Sequence, residues 1–210
     1  MLFRLFPTIL FLLAGVIMPV SAQPAPVILI FGDSLSAGYG IERDQAWPQL
    51  LPERLHAYGY DYTVVNASIS GETTVGGVTR LPKTLKKYQP EILLLGLGAN
   101  DGLRGLPLDA MYTHLQNMIQ QAIEADTSVL LIGMRLPSNY GPVYTDAFHG
   151  QFTQLANNNP VRFLSFLLDG IALDTTLFQE DGLHPTARAQ PMILENVWKE
   201  LQPMLKKSGA

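Results

Sequence analysis

Four short polar segments of this chain carry the residue types that acyl transfer requires. Ser34 lies in Gly32-Asp33-Ser34-Leu35-Ser36, directly after the apolar run Val27 to Phe31. Gly71 lies in Asn66-Ala67-Ser68-Ile69-Ser70-Gly71-Glu72, and Asn100 in Gly98-Ala99-Asn100-Asp101-Gly102. Asp181 and His184 share Asp181-Gly182-Leu183-His184-Pro185. Acyl transfer needs a nucleophile, a base for its proton, a group that orients the base, and donors for the developing oxyanion. Ser34 is the candidate nucleophile and His184 the candidate base. Asp181 can turn back within its short loop and accept the imidazole Nδ1 proton, which leaves Nε2 facing the serine. The backbone N–H groups of Ser34 and Gly71, with the Asn100 side-chain amide, are candidate oxyanion donors. A glycine at 71 lets the backbone approach a substrate closely.

Each segment alone has a plainer reading. A serine after a strand often caps the following helix. Gly71 suits a simple turn, and Ala99-Asn100-Asp101 suits a cap or an Asx-turn. Asp181 and His184 could form a surface pair or half of a metal site. Zinc takes three or four protein ligands, whereas this chain has no cysteine and four histidines, so no metal is expected. His56 and His114 fall in predicted helices, on solvated faces, and His149 is the one rival base. The conjunction of all the segments, in this order, is what points to catalysis.

The elements around these segments alternate. Strands are predicted at Val27–Phe31, Tyr62–Asn66, Ile92–Leu97, Ser128–Gly133 and Val161–Phe166. Helices are predicted at Pro48–Tyr58, Thr74–Tyr88, Leu108–Ala125, Asp146–Asn158 and Ala187–Lys207. Pro82 inside the second of these argues for a late start or a kink. Alternating strands and helices imply parallel βαβ units with right-handed crossovers. The first, third and fourth strands are nearly continuous apolar runs, as in a sheet covered on both faces. The expected fold is therefore α/β, a three-layer α/β/α sandwich with about five parallel strands. Such sheets bind ligands beyond the carboxyl ends of their strands, which is where all the segments above fall.

Composition narrows the rest. Leu5 to Val20 is almost wholly apolar, follows the lone charge Arg4, and ends in Val20-Ser21-Ala22. That pattern reads as a secretory signal peptide over residues 1–22, cleaved after Ala22, with a single domain over 23–210. A periplasmic or secreted protein without a stable membrane anchor is expected, and a monomer. The net charge of −4 becomes −5 without Arg4, which argues against nucleic acid as a partner. Gly32-Asp33-Ser34-Leu35-Ser36 is not the Gly-x-Ser-x-Gly elbow of α/β-hydrolases. No Gly-x-Gly-x-x-Gly follows the first strand, so no dinucleotide cofactor is expected.

The segments "FGDSLS", "NASISGETT", "GANDGLRG" and "DGLHP" together resemble the GDSL, or SGNH, hydrolases. With "RLPSNYG" they look most like the exported bacterial thioesterase I/protease I/lysophospholipase group, often called arylesterases, over essentially the whole mature chain. The resemblance implies strand order 2-1-3-4-5 and a cofactor-free serine esterase. It assigns Ser34, Asp181 and His184 to a triad, and Ser34, Gly71 and Asn100 to an oxyanion hole. Two positions depart from the pattern: Glu72, where relatives often carry Asp, and Ala99, where they often carry Gly. Leu103, Leu106, Leu136, Pro137 and Tyr140 lie in the loops after the third and fourth strands. They are either core anchors or the lining of an acyl groove, with Gly102 and Gly105 permitting a flap to move. The resemblance favours the groove and an acyl ester, thioester or lysophospholipid substrate. The alternatives are a carbohydrate O-deacetylase on the same fold, which would have a shallow polar cleft, and an exported non-catalytic ligand-binding domain.

Overall fold

A computed structural model describes residues 24–207 of the chain. The signal peptide expected over residues 1–22 lies outside the described residues. Five strands form one parallel sheet: β1 (Val27–Gly32), β2 (Thr63–Asn66), β3 (Ile92–Gly96), β4 (Ser128–Ile132) and β5 (Arg162–Leu164). Their order is β2-β1-β3-β4-β5, as the resemblance implied. The three central strands carry the longest apolar runs and are buried almost throughout. The edge strands β2 and β5 are shorter and only partly covered.

Helices cover both faces. Seven α-helices are described: α1 (Ser34–Ala37), α2 (Trp47–Ala57), α3 (Thr74–Tyr88), α4 (Ala99–Leu103), α5 (Leu108–Glu124), α6 (Pro142–Asn158) and α7 (Gln190–Leu201). The amphipathic pattern of α5 buries Met111, Leu115, Met118, Ile119 and Ala122, the stripe read from its spacing. Among the described residues, no helix is long and apolar enough to cross a membrane.

Several boundaries differ from expectation. Helix α3 runs unbroken from Thr74 past Pro82 to Tyr88. Helix α6 starts four residues before the predicted Asp146, because Pro142 fits the first turn, where its missing N–H costs nothing. The closing helix is three pieces, with 3-10 turns at Ala187–Ala189 and Gln202–Met204 flanking α7. Strand β5 is half its predicted length.

The register sets the site. Gly32 pairs with Gly96, so β1 and β3 end level. A Cβ on Gly32 would lie 3.0 Å from the Gly96 carbonyl oxygen, so only glycine allows this approach without the neighbouring strand shifting. The chain segments after both strands therefore start side by side.

Candidate active site

Helix α1 is a single turn, and Asp33 rather than Ser34 caps it. The Asp33 carboxylate accepts from the Leu35 N–H (3.0 Å), and its carbonyl accepts from Ser36 and Ala37 (3.2 and 2.9 Å). Gly38, at φ +77°, ends the turn. Ser34 is left as the first helical residue, half-buried, with its hydroxyl free of any capping duty. From its place after the strand Ser34 reads as the cap, but the aspartate beside it takes that role.

The Ser34 hydroxyl lies 2.9 Å from His184 Nε2. On the other side of the ring, Nδ1 is 2.6 Å from Asp181 Oδ2. The other Asp181 oxygen accepts from the Leu183 and His184 backbone N–H groups at 2.9 and 3.0 Å, which closes the short turn. Those donors, the His184 N–H first, hold the Asp181 carboxyl down at about 2. An ionised carboxylate only accepts, so Nδ1 carries the proton and Nε2 presents a lone pair to the serine. The Tyr39 ring packs on the imidazole, with centroids 4.5 Å apart.

The loop after β2 is stitched onto the end of β1. The Ile69 N–H donates to the Gly32 carbonyl (3.0 Å), and the Gly32 N–H donates to Ser68 Oγ (3.1 Å). Asn66 donates to the Ser36 carbonyl (2.7 Å). A turn closed by the Glu72 N–H on the Ile69 carbonyl (3.1 Å) puts Gly71 at φ +79°, the left-handed region that favours glycine. Among the described residues, neither the Ser34 nor the Gly71 backbone N–H meets an acceptor.

Asn100 enters from α4 and joins the two segments. Its Nδ2 donates to the Glu72 carbonyl at 3.1 Å and makes a long contact of 3.4 Å with Asp33 Oδ2. Asp33 is 2 % exposed, and burial pushes its carboxyl up to about 6. The remaining histidines lie elsewhere. His149 Nδ1 lies 3.1 Å from the Met134 carbonyl and its Nε2 3.5 Å from Ser165 Oγ, so the imidazole that meets Ser34 is that of His184 and not that of His149. His56 is exposed, as expected, but His114 is half-buried and meets Thr74 Oγ1 at 3.0 Å, in a network with the buried Asp101.

The expected groove residues separate into two groups. Leu103 is half-buried, and Leu106, Pro137 and Tyr140 are exposed; the Tyr140 hydroxyl donates to the Leu103 carbonyl at 2.9 Å. A depression of about 360 Å³ lies beside Tyr140, bounded by Val143 and Tyr144. Leu136 does not belong with them. It is 9 % exposed and packs with Phe148 against Gly102, so it is a core residue. Gly102 is not a flap hinge either: an added Cβ would lie 2.5 Å from the Phe148 ring, so close packing requires the glycine. Gly105, at φ +64° with open space around it, remains a turn residue.

An apolar-faced α/β/α sheet with a serine, a histidine and a carboxylate in line at its carboxyl edge defines a hydrolase of the SGNH class. The chain matches the GDSL-like Lipase/Acylhydrolase family over residues 30–190 and belongs to that family. It is similar to Esterase TesA of Pseudomonas aeruginosa, at 44 % identity over 181 residues, 86 % of this chain and 90 % of that one. Thioesterase 1/protease 1/lysophospholipase L1 of Escherichia coli (strain K12) is 40 % identical over 190 residues, 90 % of each chain. A solved structure of the psychrotrophic esterase EstA from Pseudoalteromonas sp., inhibited by monoethylphosphonate, superposes with a TM-score of 0.81 at 38 % identity. It covers 84 % of this chain and 97 % of that one. The protein is thus a carboxylic ester hydrolase of the GDSL type, acting on small-molecule ester or lipid substrates.

Proposed function

We infer that Ser34, His184 and Asp181 act as the nucleophile, the base and its orienter in an acyl-enzyme mechanism. The observation that carries this reading is the unbroken line from Ser34 Oγ through His184 to Asp181, at 2.9 and 2.6 Å. His184 Nε2 takes the hydroxyl proton as Oγ attacks the acyl carbonyl carbon. The carbonyl electron pair moves to oxygen, and the Ser34 and Gly71 N–H groups with the Asn100 amide hold that oxyanion. The oxyanion draws the Asn100 hydrogen away from its long contact with Asp33. Collapse expels the alkoxide, aryloxide or thiolate, which leaves with the proton from His184. Water then repeats both steps on the acyl-serine.

The acyl chain lies along Leu103, Leu106, Pro137 and Tyr140, which favours medium or long chains over acetyl. The relatives' names extend the substrate range to aryl esters, acyl thioesters and lysophospholipids. The chain is exported by its first 22 residues, works in the periplasm or beyond as a monomer, and keeps no stable membrane anchor.

Hydrolysis of p-nitrophenyl esters from acetyl to palmitoyl by residues 23–210, beside Ser34→Ala, tests the reading. A serine-dependent maximum at hexanoyl or longer is expected. Activity confined to acetyl would favour an O-deacetylase, and activity surviving in Ser34→Ala would remove the nucleophile.

A further inference from the structure

The departure at Glu72 has a structural partner. Arg80, on α3, reaches back toward the helix N-terminus, as long helical side chains do. Its guanidinium meets the Glu72 carboxylate through two parallel bonds, Nε to Oε1 (2.9 Å) and Nη2 to Oε2. The Glu72 side chain is only 8 % exposed and lies along the first turn of α3, where an added Cβ on Gly76 would come within 3.5 Å of it. The guanidinium carbon lies over the Phe31 ring, 3.9 Å from its centre. Phe31 is fully buried in β1, two residues before Asp33.

We propose that Arg80 is a positioning residue for the oxyanion loop, holding Glu72, and through it Gly71 and Asn100, in fixed register with β1, the strand that leads into Ser34. A close cation–π contact with Phe31 and a two-bond fork to Glu72 together fix the guanidinium. The Glu72 backbone carbonyl is the acceptor for Asn100, and Gly71 precedes it directly. Arg104 grips the same loop from outside, donating to the Gly71 carbonyl at 3.0 Å, but that bond is solvent-exposed. A glycine turn has little stiffness of its own, and donors displaced by about 1 Å lose on the order of 10²-fold in rate. A longer Glu in place of Asp fits this geometry because it spans the first turn of α3 to reach a guanidinium eight residues along.

The inference rests on Gly71 and Asn100 being oxyanion donors, so Asn100→Ala is measured in parallel. For Arg80→Met, kcat on the preferred p-nitrophenyl ester is expected to fall ~10- to 100-fold, with KM within about twofold. Affinity for an alkyl trifluoromethyl ketone, which mimics the oxyanion, should fall by the same factor. Affinity for the matching alkyl methyl ketone should not move. Arg80→Lys should recover only part, because a point charge replaces the fork. Should Arg80→Met fail to fold, Glu72→Gln supplies the same comparison, with a smaller loss in kcat and in trifluoromethyl ketone affinity. A lowered melting temperature with unchanged kcat and ketone affinity would make the pair merely structural and overturn the proposal. If Asn100→Ala leaves kcat intact, the oxyanion reading itself fails. If Asn100→Ala is impaired and the clamp variants are not, only the role of Arg80 fails.

Discussion

The Gln179 carboxamide binds the Tyr39 carbonyl at 2.8 Å and the Pro185 carbonyl at 3.1 Å through the same nitrogen. One accepting residue follows the Ser34 turn, and the other follows His184. The Gln179 backbone N–H adds a bond to the His184 carbonyl at 2.8 Å. This side chain therefore staples the Ser34 segment to the His184 loop, although 150 residues separate Ser34 from His184. Replacing Gln179 by Leu removes both amide bonds and should lower kcat by ~10-fold or more while KM changes little. Gly40→Ala should act alike, since its Cβ would collide with the Gln179 amide. Steady-state kinetics on one ester checks both, and a normal kcat in Gln179→Leu would show that the loops hold their spacing without the staple.

Loss of the Asn100 amide should cost ~10²- to 10³-fold in kcat, about 3 to 4 kcal/mol, the range measured for single oxyanion donors elsewhere. Asn100→Ala is the variant. A rate within threefold of the parent protein would contradict the role.

Asp181→Asn should preserve the fold, because the amide oxygen can still accept from the Leu183 and His184 N–H groups. Its NH₂ can face Nδ1 only if that nitrogen gives up its hydrogen, which moves the proton to Nε2 and blocks attack by Ser34. A loss of ~10²- to 10⁴-fold in kcat follows, with unchanged circular dichroism. In the parent protein Asp181 stays ionised down to about pH 2. The acid limb of its kcat/KM profile above pH 4 should therefore not report this carboxyl.

Burial raises the Asp33 carboxyl from 3.8 to about 6. Between these values the native protein keeps a proton that the unfolded chain releases. The resulting stability is fully present below pH 4 and is lost as pH rises through 6. The loss amounts to at most roughly 3 kcal/mol, at 1.36 kcal/mol for each tenfold change in proton affinity. Asp33→Asn cannot titrate and should flatten this slope. Urea unfolding of both proteins at pH 4, 5, 6 and 7 measures it. Parallel curves across that range would show that Asp33 titrates normally.

Most of the frame was legible in the residues because each central strand is a plain apolar run ending at a glycine or polar segment. The first four strands match within a residue or two at each end, and α3 matches at both ends. The candidate triad reads partly from position, since Ser34 directly follows β1, and partly from the Asp-x-x-His spacing of Asp181 and His184, which lie well beyond the end of β5 at Leu164. What escaped depends on contacts between distant residues. The Arg80–Glu72 clamp, the Gln179 staple and the Thr74–Asp101–His114 network join positions whose spacing follows no local period. Leu136 reads as groove from its loop position, yet Phe148, arriving from α6, encloses it. Gly102 reads as a hinge for the same reason, until the ring beside it is seen.

The central claim is that Ser34 attacks the acyl carbon. Incubating residues 23–210 with a p-nitrophenyl alkylphosphonate, then mapping the adduct by peptide mass spectrometry, tests it directly. The expected result is one equivalent of p-nitrophenolate released per chain, loss of esterase activity in step, and a single phosphonyl group on Ser34. Full inactivation with the adduct on another residue, or no adduct while esterase activity persists, would contradict it.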